Sequence, residues 1–160
     1  MVVHNNVTRL LDSRHVPYTA FELPPEKLGA QETARLLNVP AELVFKTIVV
    51  TRLESGKPIL AVVPGDKEVD LKSLAKVLNE KKLNLATERE AERITGLQAG
   101  GISPLALLKR SFQVVIDESA ILYEEIHISG GQRGLNIRLP VVVLISLTNA
   151  TLAEIGSSLS

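Results

Sequence analysis

Lys46 is the residue whose position most clearly calls for a chemical explanation. It interrupts an apolar, β-branched stretch over residues 43–51, and the two-residue repeat of a strand places it on one face with Val44, Ile48 and Val50. A lysine is almost never fully buried unless it is paired. Its ammonium group must therefore reach solvent, meet a carboxylate, or face a cleft that binds an anionic or polarised ligand. The strand alone favours the first interpretation, because lysine stems commonly cover apolar surface.

A pair of glycines at positions 100 and 101 could bind a developing negative charge. Residues without side chains let a ligand approach the backbone amides, and amide dipoles stabilise the oxygen that becomes negative when an ester carbonyl is attacked. An ordinary tight turn is the alternative interpretation. A Ser-Pro step follows at positions 103 and 104, and it predicts a capped helix over residues 105–109. The whole segment is Gln98-Ala99-Gly100-Gly101-Ile102-Ser103-Pro104.

A second glycine-rich segment lies between two strand-like stretches and carries one cation. Its glycine content exceeds what a two-residue hairpin turn requires. Close approach to a ligand backbone or phosphate therefore competes with a plain hairpin loop as its role. The segment is Ser129-Gly130-Gly131-Gln132-Arg133-Gly134.

Four lysines follow one predicted helix and its exit, and Lys109-Arg110 forms a separate basic pair. Charge runs of this kind usually form a solvated face. If the substrate is a polynucleotide, they would instead bind its phosphates through an attraction that is independent of sequence and weakens with salt. The four lysines are Lys72, Lys76, Lys81 and Lys82.

Composition excludes several classes of protein. The 160 residues contain no cysteine, which excludes disulfides, a thiolate zinc site and a cysteine nucleophile. Eighteen basic residues balance eighteen acidic ones, which argues against a protein that coats nucleic acid through its overall charge, and we expect no DNA partner. His4, His15 and His127 lack metal-ligand spacing, and no G-x-S-x-G, phosphate-loop, H-E-x-x-H or dinucleotide motif is present. We expect no metal or cofactor, no membrane span and a cytoplasmic location.

The elements that must position these residues mix helices and strands without a regular repeat. Helices are predicted over residues 6–15, 30–37, 71–78 and 88–93, the last two capped by Asp70 and by a Thr87/Glu90 capping box. Strands are predicted over residues 18–23, 43–51, 59–63, 83–86, 114–116, 125–128 and 135–139. The second and third of these strands should form a central hairpin joined through the polar residues 55–58.

The predicted architecture is one α+β domain over residues 1–160, with helices around a mixed, mainly antiparallel and barrel-like sheet. The end of the chain gives conflicting signals. Residues 141–145 are all β-branched or leucine and favour a strand, whereas residues 149–155 resemble a helix capped by an asparagine. The boundary between the two is left open.

Three motifs in this order and spacing resemble the YbaK and prolyl-tRNA-editing family, and the resemblance spans nearly the whole chain. They are Val44-Phe45-Lys46-Thr47, the stretch from Thr95-Gly96 to Gly101-Ile102-Ser103-Pro104, and Ser129-Gly130-Gly131-Gln132-Arg133-Gly134-Leu135, with Asp70-Leu71-Lys72 between the first two. Members of that family hydrolyse amino acids wrongly attached to tRNA, typically alanine or cysteine on proline tRNA. The resemblance implies a free-standing deacylase that acts on mischarged tRNA, with prolyl-tRNA synthetase as a candidate partner.

The resemblance also implies roles for individual residues. Lys46 would correspond to the family's critical lysine, and residues 101–104 would belong to its Gly-x-x-Pro-like substrate loop. Our own mechanistic hypothesis is that Lys46 anchors or polarises the substrate, that the amides at Gly100 and Gly101 stabilise the oxyanion, and that the loop at Ser129 closes the pocket. The substrate would be bound by Phe21, Thr47, Ile102, Ser103, Pro104, Ser129, Gly130, Gly131, Arg133 and Asn136, and tRNA by Lys72, Lys76, Lys81 and Lys82.

Two positions depart from the cysteine-specific relatives, which tend to carry Asp where this chain has Asn136 and Tyr where it has Phe21. An asparagine cannot act as an ionised carboxylate, so the departures bear on which amino acid is removed. Two other functions are compatible with the same features. One is a catalytically silent module that binds tRNA or a synthetase, and the other is a hydrolase of a different small aminoacyl ester.

Overall fold

The computed structural model describes residues 4–53 and 56–159. Within these ranges the α-helices are α1 (Asn6–Ser13), α2 (Ala30–Leu37), α3 (Leu71–Val77), α4 (Glu88–Thr95) and α5 (Val141–Thr148). The strands are β1 (Thr19–Glu22), β2 (Phe45–Arg52), β3 (Ile59–Pro64), β4 (Lys67–Val69), β5 (Leu83–Leu85), β6 (Gln113–Asp117), β7 (Glu125–Ser129), β8 (Leu135–Pro140), β9 (Thr151–Ala153) and β10 (Gly156–Ser158). Short 3₁₀ helices cover Ala41–Leu43, Pro104–Leu107 and Glu118–Leu122.

The strands form three sheets with the orders β5-β2-β3-β6-β9, β1-β8-β7 and β10-β4. β3–β6 and β6–β9 pair parallel, and the other strand pairs are antiparallel. The α+β class and the mixed sheet are therefore confirmed. The central sheet ends at β5 and β9 and does not close into a barrel.

The predicted central hairpin is confirmed, because β2 pairs antiparallel with β3 from Phe45↔Pro64 to Val50↔Ile59. Ser55, part of the predicted connection, lies outside the described residues. Every residue of β3 is buried, because apolar side chains cover both faces of the sheet. On one face Leu60 and Val62 pack into a core shared with β7, β8, α1 and α5, and on the other Ile59 packs with α3.

Several of the predicted caps are present at the ends of the helices. Asp70 accepts a hydrogen bond from the Ser73 amide at the start of α3, and Thr87 and Glu90 form both bonds of a capping box at the start of α4. Gly96 ends α4 in the left-handed conformation, at φ 74°. Helix α2 has the predicted bounds. No helix in the described ranges is both long and apolar enough to cross a membrane.

The predicted assignments near the end of the chain are reversed. Residues 141–145 belong to helix α5, and Asn149 is its left-handed C-cap at φ 52° rather than the N-cap of a following helix. Residues 151–153 form strand β9, which pairs parallel with β6. Tertiary packing outweighs the β propensity of this segment, because Val141 and Leu144 must point one way into the core, a spacing that a helix provides.

Candidate active site

A cleft of about 410 Å³ lies along an open edge of β2. β3 pairs with one edge of β2 over residues 45–50, but β5 pairs with the other edge only over residues 50–52. His127 of β7 forms a single parallel bridge with Val44, the residue directly before β2. Between that bridge and β5, no strand of the described chain pairs with this edge of β2, so a space for a small ligand is left beside it. Its volume is in the range of small-molecule sites.

Six of the predicted site residues line this cleft together, from four separate parts of the chain. The floor is mostly apolar, contributed by Phe45, Val49, Ala91, Ala99 and Leu135. The predicted residues that line it are Lys46, Thr47, Gly100, Ile102, Ser129 and Asn136. The remaining predicted residues lie behind it or away from it.

Lys46 is partly buried at the edge of β2. Burial lowers its pKa from the usual lysine value, and the carboxylates of Glu68 and Asp66 act in the opposite direction. Among the described residues no carboxylate oxygen lies within 4.0 Å of its ammonium group. Within the described chain, this excludes one of the three explanations for Lys46, a direct ion pair with a carboxylate. A partly desolvated ammonium group of this kind can bind or polarise an oxygen of a ligand.

The Thr47 hydroxyl also lacks a partner. Its oxygen is buried, and no hydrogen-bonding group of the described chain reaches it. Buried polar atoms are nearly always hydrogen-bonded, so an exception in the wall of a cleft indicates a group that a ligand or bound water would satisfy. Thr47 entered the sequence prediction only through its place beside Lys46, since no local pattern reveals an unpaired hydroxyl.

Asn136 lies in the wall formed by the three-stranded sheet. It is opposite Ser129 of β7 and opposite Phe21 of β1, so the three residues form one cross-strand row. Its Oδ1 lies 2.8 Å from Nδ1 of His127, and both side chains are buried. Phe21 does not line the cleft. Its ring packs at 5.5 Å from the His127 ring and under the Arg138 guanidinium, also at 5.5 Å.

The sequence showed only that His127 lacks metal-ligand spacing, whereas the structure places it beside Asn136 in the wall of the cleft. Burial lowers the pKa of His127 from its usual value, and nearby Arg138 adds to this. The hydrogen bond to Asn136 and the carboxylate of Glu125 act against them, and the balance favours the neutral imidazole. The alternation in β7 was an available signal, because it places His127 on the same face as Ser129.

The two glycines at 100 and 101 have different roles. Gly100 lines the cleft in the left-handed region, at φ 88°, and its amide donates no hydrogen bond within the described chain. Gly101 is buried behind it, and its amide donates to the Gln98 carbonyl oxygen at 2.8 Å. A Cβ at Gly101 would lie 2.9 Å from the backbone of Gln132 and Arg133. Gly101 therefore lets two loops pack against each other, and Gly100 presents the amide that is free to bind a ligand.

The loop after β7 supports the Gly100 segment from behind. Arg133 Nε donates to the Ala99 carbonyl oxygen at 2.6 Å, and Asn5 Nδ2 donates to the Gly130 carbonyl oxygen at 2.9 Å. Gly130, Gly131 and Arg133 do not line the cleft, whereas Ser129 and Gly134 do. The structure thus places the loop as a support for the cleft wall.

Ser103 and Pro104 are also buried outside the cleft. The Ser103 hydroxyl accepts a hydrogen bond from the Leu105 amide at 3.2 Å and begins the short 3₁₀ helix Pro104–Leu107, where a helix over residues 105–109 was predicted. The Ser-Pro step therefore caps a turn as expected, but the turn is shorter and tighter. It positions Ile102, which does line the cleft.

The mouth of the cleft carries an ion pair that the sequence did not reveal. Lys27 Nζ lies 2.9 Å from Glu88 Oε2, and both side chains are about half exposed. Residues 29 and 30, at the start of α2, also border the opening. A surface pair of this kind contributes little to stability, so it can separate when a ligand enters.

The four predicted tRNA-binding lysines are exposed, and none of them lines the cleft. Lys72 and Lys76 are on α3, and Lys81 and Lys82 directly precede β5, which pairs with the Arg52 end of β2. Lys46 is six residues before Arg52, which pairs with Leu83, so the strand places Lys82 roughly 20 Å from Lys46. A ligand that contacts both Lys46 and the lysines before β5 must therefore be long. Within the described ranges no three acidic, histidine or cysteine side chains come together as a metal site.

Known proteins are similar to this chain in sequence. A protein of Enterococcus faecalis, EbsC, provisionally named a Cys-tRNA(Pro)/Cys-tRNA(Cys) deacylase, is 36% identical over 152 residues, which cover 94% of this chain and 92% of that protein. The proline–tRNA ligase of Geobacter metallireducens is 31% identical over 101 residues, 62% of this chain but only 17% of the ligase. The chain thus corresponds to a small part of that enzyme.

Solved structures share the fold. A hypothetical protein superposes with a TM-score of 0.87 at 23% identity, covering 96% of this chain and 100% of that one. A protein described provisionally as a trans-editing enzyme for prolyl tRNA synthetase superposes with a TM-score of 0.79 at 23% identity, covering 98% and 100%. The family model for the aminoacyl-tRNA editing domain matches residues 24–147, which include every residue of the cleft except Leu23. The chain therefore belongs to the aminoacyl-tRNA editing domain family.

Proposed function

We propose that this protein is an aminoacyl-tRNA deacylase that hydrolyses the ester of mischarged tRNA, with alanine or cysteine on proline tRNA as the expected substrates. The observation that carries the proposal is Lys46, a partly buried ammonium group in the wall of a small cleft, with no carboxylate partner among residues 4–53 and 56–159. The relatives described above support the same activity. Charged tRNA is used in the cytoplasm, where we expect the protein to act.

The ester of an aminoacyl-tRNA is already activated, so positioning and carbonyl polarisation can suffice without a protein nucleophile. In this hypothesis Lys46 binds or polarises the substrate, and the Gly100 amide donates to the carbonyl oxygen as it becomes negative. A water molecule attacks the carbonyl carbon, the bond to the ribose oxygen breaks, and that oxygen takes up a proton. For cysteine, the substrate's own thiol is an alternative attacking group. Gly101, whose amide is already bonded, would act only through loop packing.

The size of the cleft suits a small amino acid. A synthetase pocket that accepts proline excludes smaller residues poorly, because one methylene discriminates by only about 1–3 kcal/mol. A second site with a small apolar floor can then remove the errors. Val49, Ala91 and Leu135 supply such a floor here.

The tRNA body would lie over the exposed lysines of α3 and the start of β5. These groups bind phosphate without reading sequence, and the binding should weaken as salt is added. The separation of roughly 20 Å along β2 allows the acceptor end to enter the cleft while the stem contacts the lysines. Prolyl-tRNA synthetase is the candidate partner that would deliver or bind the same tRNA.

The proposal is tested by incubating the protein with proline tRNA charged with alanine, cysteine or serine, and with matching non-proline tRNAs. Ester loss and binding are measured in parallel. Lys46→Ala should lower the rate about 10²–10³-fold, as removal of one oxyanion-stabilising group does, and should leave the fold intact. Lys57→Ala, at an exposed lysine of the β2–β3 connection, is the matched control and should keep the wild-type rate.

The outcomes separate the candidate functions. A rate of ester hydrolysis in Lys46→Ala equal to that of the wild-type protein would contradict the role of this lysine. Binding of tRNA without ester loss would support a silent binding module instead. Hydrolysis of aminoacyl esters without tRNA binding would indicate a different small ester as the substrate.

A further inference from the structure

The side chains of Asn136 and His127 form a buried pair in the wall of the cleft. Asn136 is 4% exposed and His127 3% exposed, and Asn136 Oδ1 lies 2.8 Å from His127 Nδ1. Both residues lie on regular strands, β8 and β7, which pair directly. The geometry of the pair is therefore fixed by the backbone of a sheet and not by a loop.

The pair determines which end of the Asn136 amide is free. An amide oxygen only accepts hydrogen bonds, so His127 Nδ1 must carry the proton in this arrangement. The other end of the amide, the Nδ2 group, donates no hydrogen bond within the described chain. Because Asn136 lines the cleft, Nδ2 is its polar group left for a ligand.

The surroundings of His127 prevent the ring from turning freely. The Phe21 ring lies against it at 5.5 Å, and the Val44 bridge fixes β7 beside β2 at this residue. Arg138 and Glu125, two residues away from Asn136 and His127 on the same face, flank the pair with opposite charges. A ring held in this way can hold the orientation of its partner amide.

We infer that His127 is a positioning residue, which turns the Asn136 oxygen inward so that the cleft presents a neutral NH₂ donor to an oxygen of the aminoacyl ester or terminal ribose. This inference rests on the proposed function. An α-ammonium group has no lone pair and cannot accept from that donor. A carboxylate at position 136 would instead attract the ammonium group. The pair therefore makes this site less dependent on the substrate's α-ammonium group than an aspartate would.

The first test needs no enzymatic activity. In protein labelled with ¹⁵N at histidine, NMR distinguishes a protonated from an unprotonated ring nitrogen, and the His127 signals are assigned by their loss in His127→Asn. We expect neutral His127 with its proton on Nδ1. A proton on Nε2 with a bare Nδ1 would overturn the inference, whether or not the protein is a deacylase.

The second test compares alanyl-tRNA with lactyl-tRNA, which carries a hydroxyl in place of the α-ammonium group. Asn136→Asp should raise the alanyl-to-lactyl ratio of kcat/KM about tenfold or more, because a carboxylate then faces the ammonium. His127→Leu, which frees the amide to turn, should shift the ratio in the same direction. His127→Asn restores a donor near Nδ1 and should keep the wild-type ratio.

These outcomes are decisive in either direction. An unchanged ratio in Asn136→Asp, or equal behaviour of His127→Leu and His127→Asn, would refute the selective role of the pair. If His127→Leu fails to fold, the NMR result and Asn136→Asp still decide. Absence of any ester loss with the wild-type protein would refute the proposed function and with it the selection between substrates, while the position of the His127 proton would still test the orientation.

Discussion

The buried Thr47 hydroxyl, which has no hydrogen-bond partner among the residues that the structure describes, leads to a prediction in which stability and activity change in opposite directions. Leaving a buried hydroxyl without a hydrogen bond costs about 1–3 kcal/mol. Thr47→Val replaces the hydroxyl with a methyl group of similar shape and keeps a β-branched residue in the strand. The free energy of unfolding should therefore rise by about 1 kcal/mol, which raises Tm by about 2–4 °C in a chain of this length.

Deacylation should fall in the same variant. If the substrate or its attacking water satisfies the hydroxyl, its removal loses one hydrogen bond and lowers kcat/KM about tenfold. Thermal and urea unfolding measure the first effect, and release of the amino acid from charged tRNA measures the second.

Thr95 offers a matched control for the same substitution. Its buried hydroxyl donates to the Ala91 carbonyl oxygen at 2.7 Å and accepts from the Leu97 amide at 3.1 Å. Thr95→Val should therefore destabilise the fold, by about 1 kcal/mol or more. A loss of stability in Thr47→Val equal to that in Thr95→Val would refute the reasoning, because it would mean that the Thr47 hydroxyl is already satisfied.

Three other predictions follow from the described contacts. The lowered pKa of His127 means that the unfolded chain binds a proton at a higher pH than the folded chain does. The free energy of unfolding should therefore fall as the pH drops below about 6.5. Urea titrations at several pH values should show a weaker pH dependence in His127→Asn. Gly101→Ala places a methyl group 2.9 Å from the adjoining loop and should lower Tm by more than Gly29→Ala, where a Cβ meets no atom within 4 Å. Replacing Lys81 and Lys82 with glutamine should reduce the salt dependence of tRNA binding by roughly one unit of slope per contacting lysine, with kcat at saturating tRNA unchanged.

Local signals in the sequence predicted most of the framework. The caps at Asp70 and Thr87 and the alternation in β2 act through atoms a few residues apart, so they do not depend on the rest of the fold. The prediction for residues 141–155 was wrong because these residues do depend on the rest of the fold. Its β-branched residues favour a strand, but burial of Val141 and Leu144 in a distant core requires helical spacing.

Six of the predicted site residues line one cleft, but the sequence did not predict which of them would face it. From the sequence alone, Lys46 was an unexpected charged residue in an apolar strand. Its correspondence to the critical lysine of the YbaK and prolyl-tRNA-editing family gave it a role. Only the packed chain places Gly100 in the cleft and Gly101 behind it. The backbone of Gln132 and Arg133 lies 2.9 Å from where a Cβ of Gly101 would be, whereas Gly100 lines the cleft.

The sequence by itself determined the residue types, the strand that carries Lys46 and the ends of several helices, since these follow from spacing and local hydrogen bonding. The tertiary structure alone decided that β5 leaves part of the edge of β2 open and that His127 faces Asn136. It alone also decided that the Thr47 hydroxyl is buried with no hydrogen-bond partner in the described part of the chain. Each of these depends on strands that are distant in the chain and adjacent in space. No local pattern in the sequence specifies such contacts, because strand pairing and burial are properties of the folded whole.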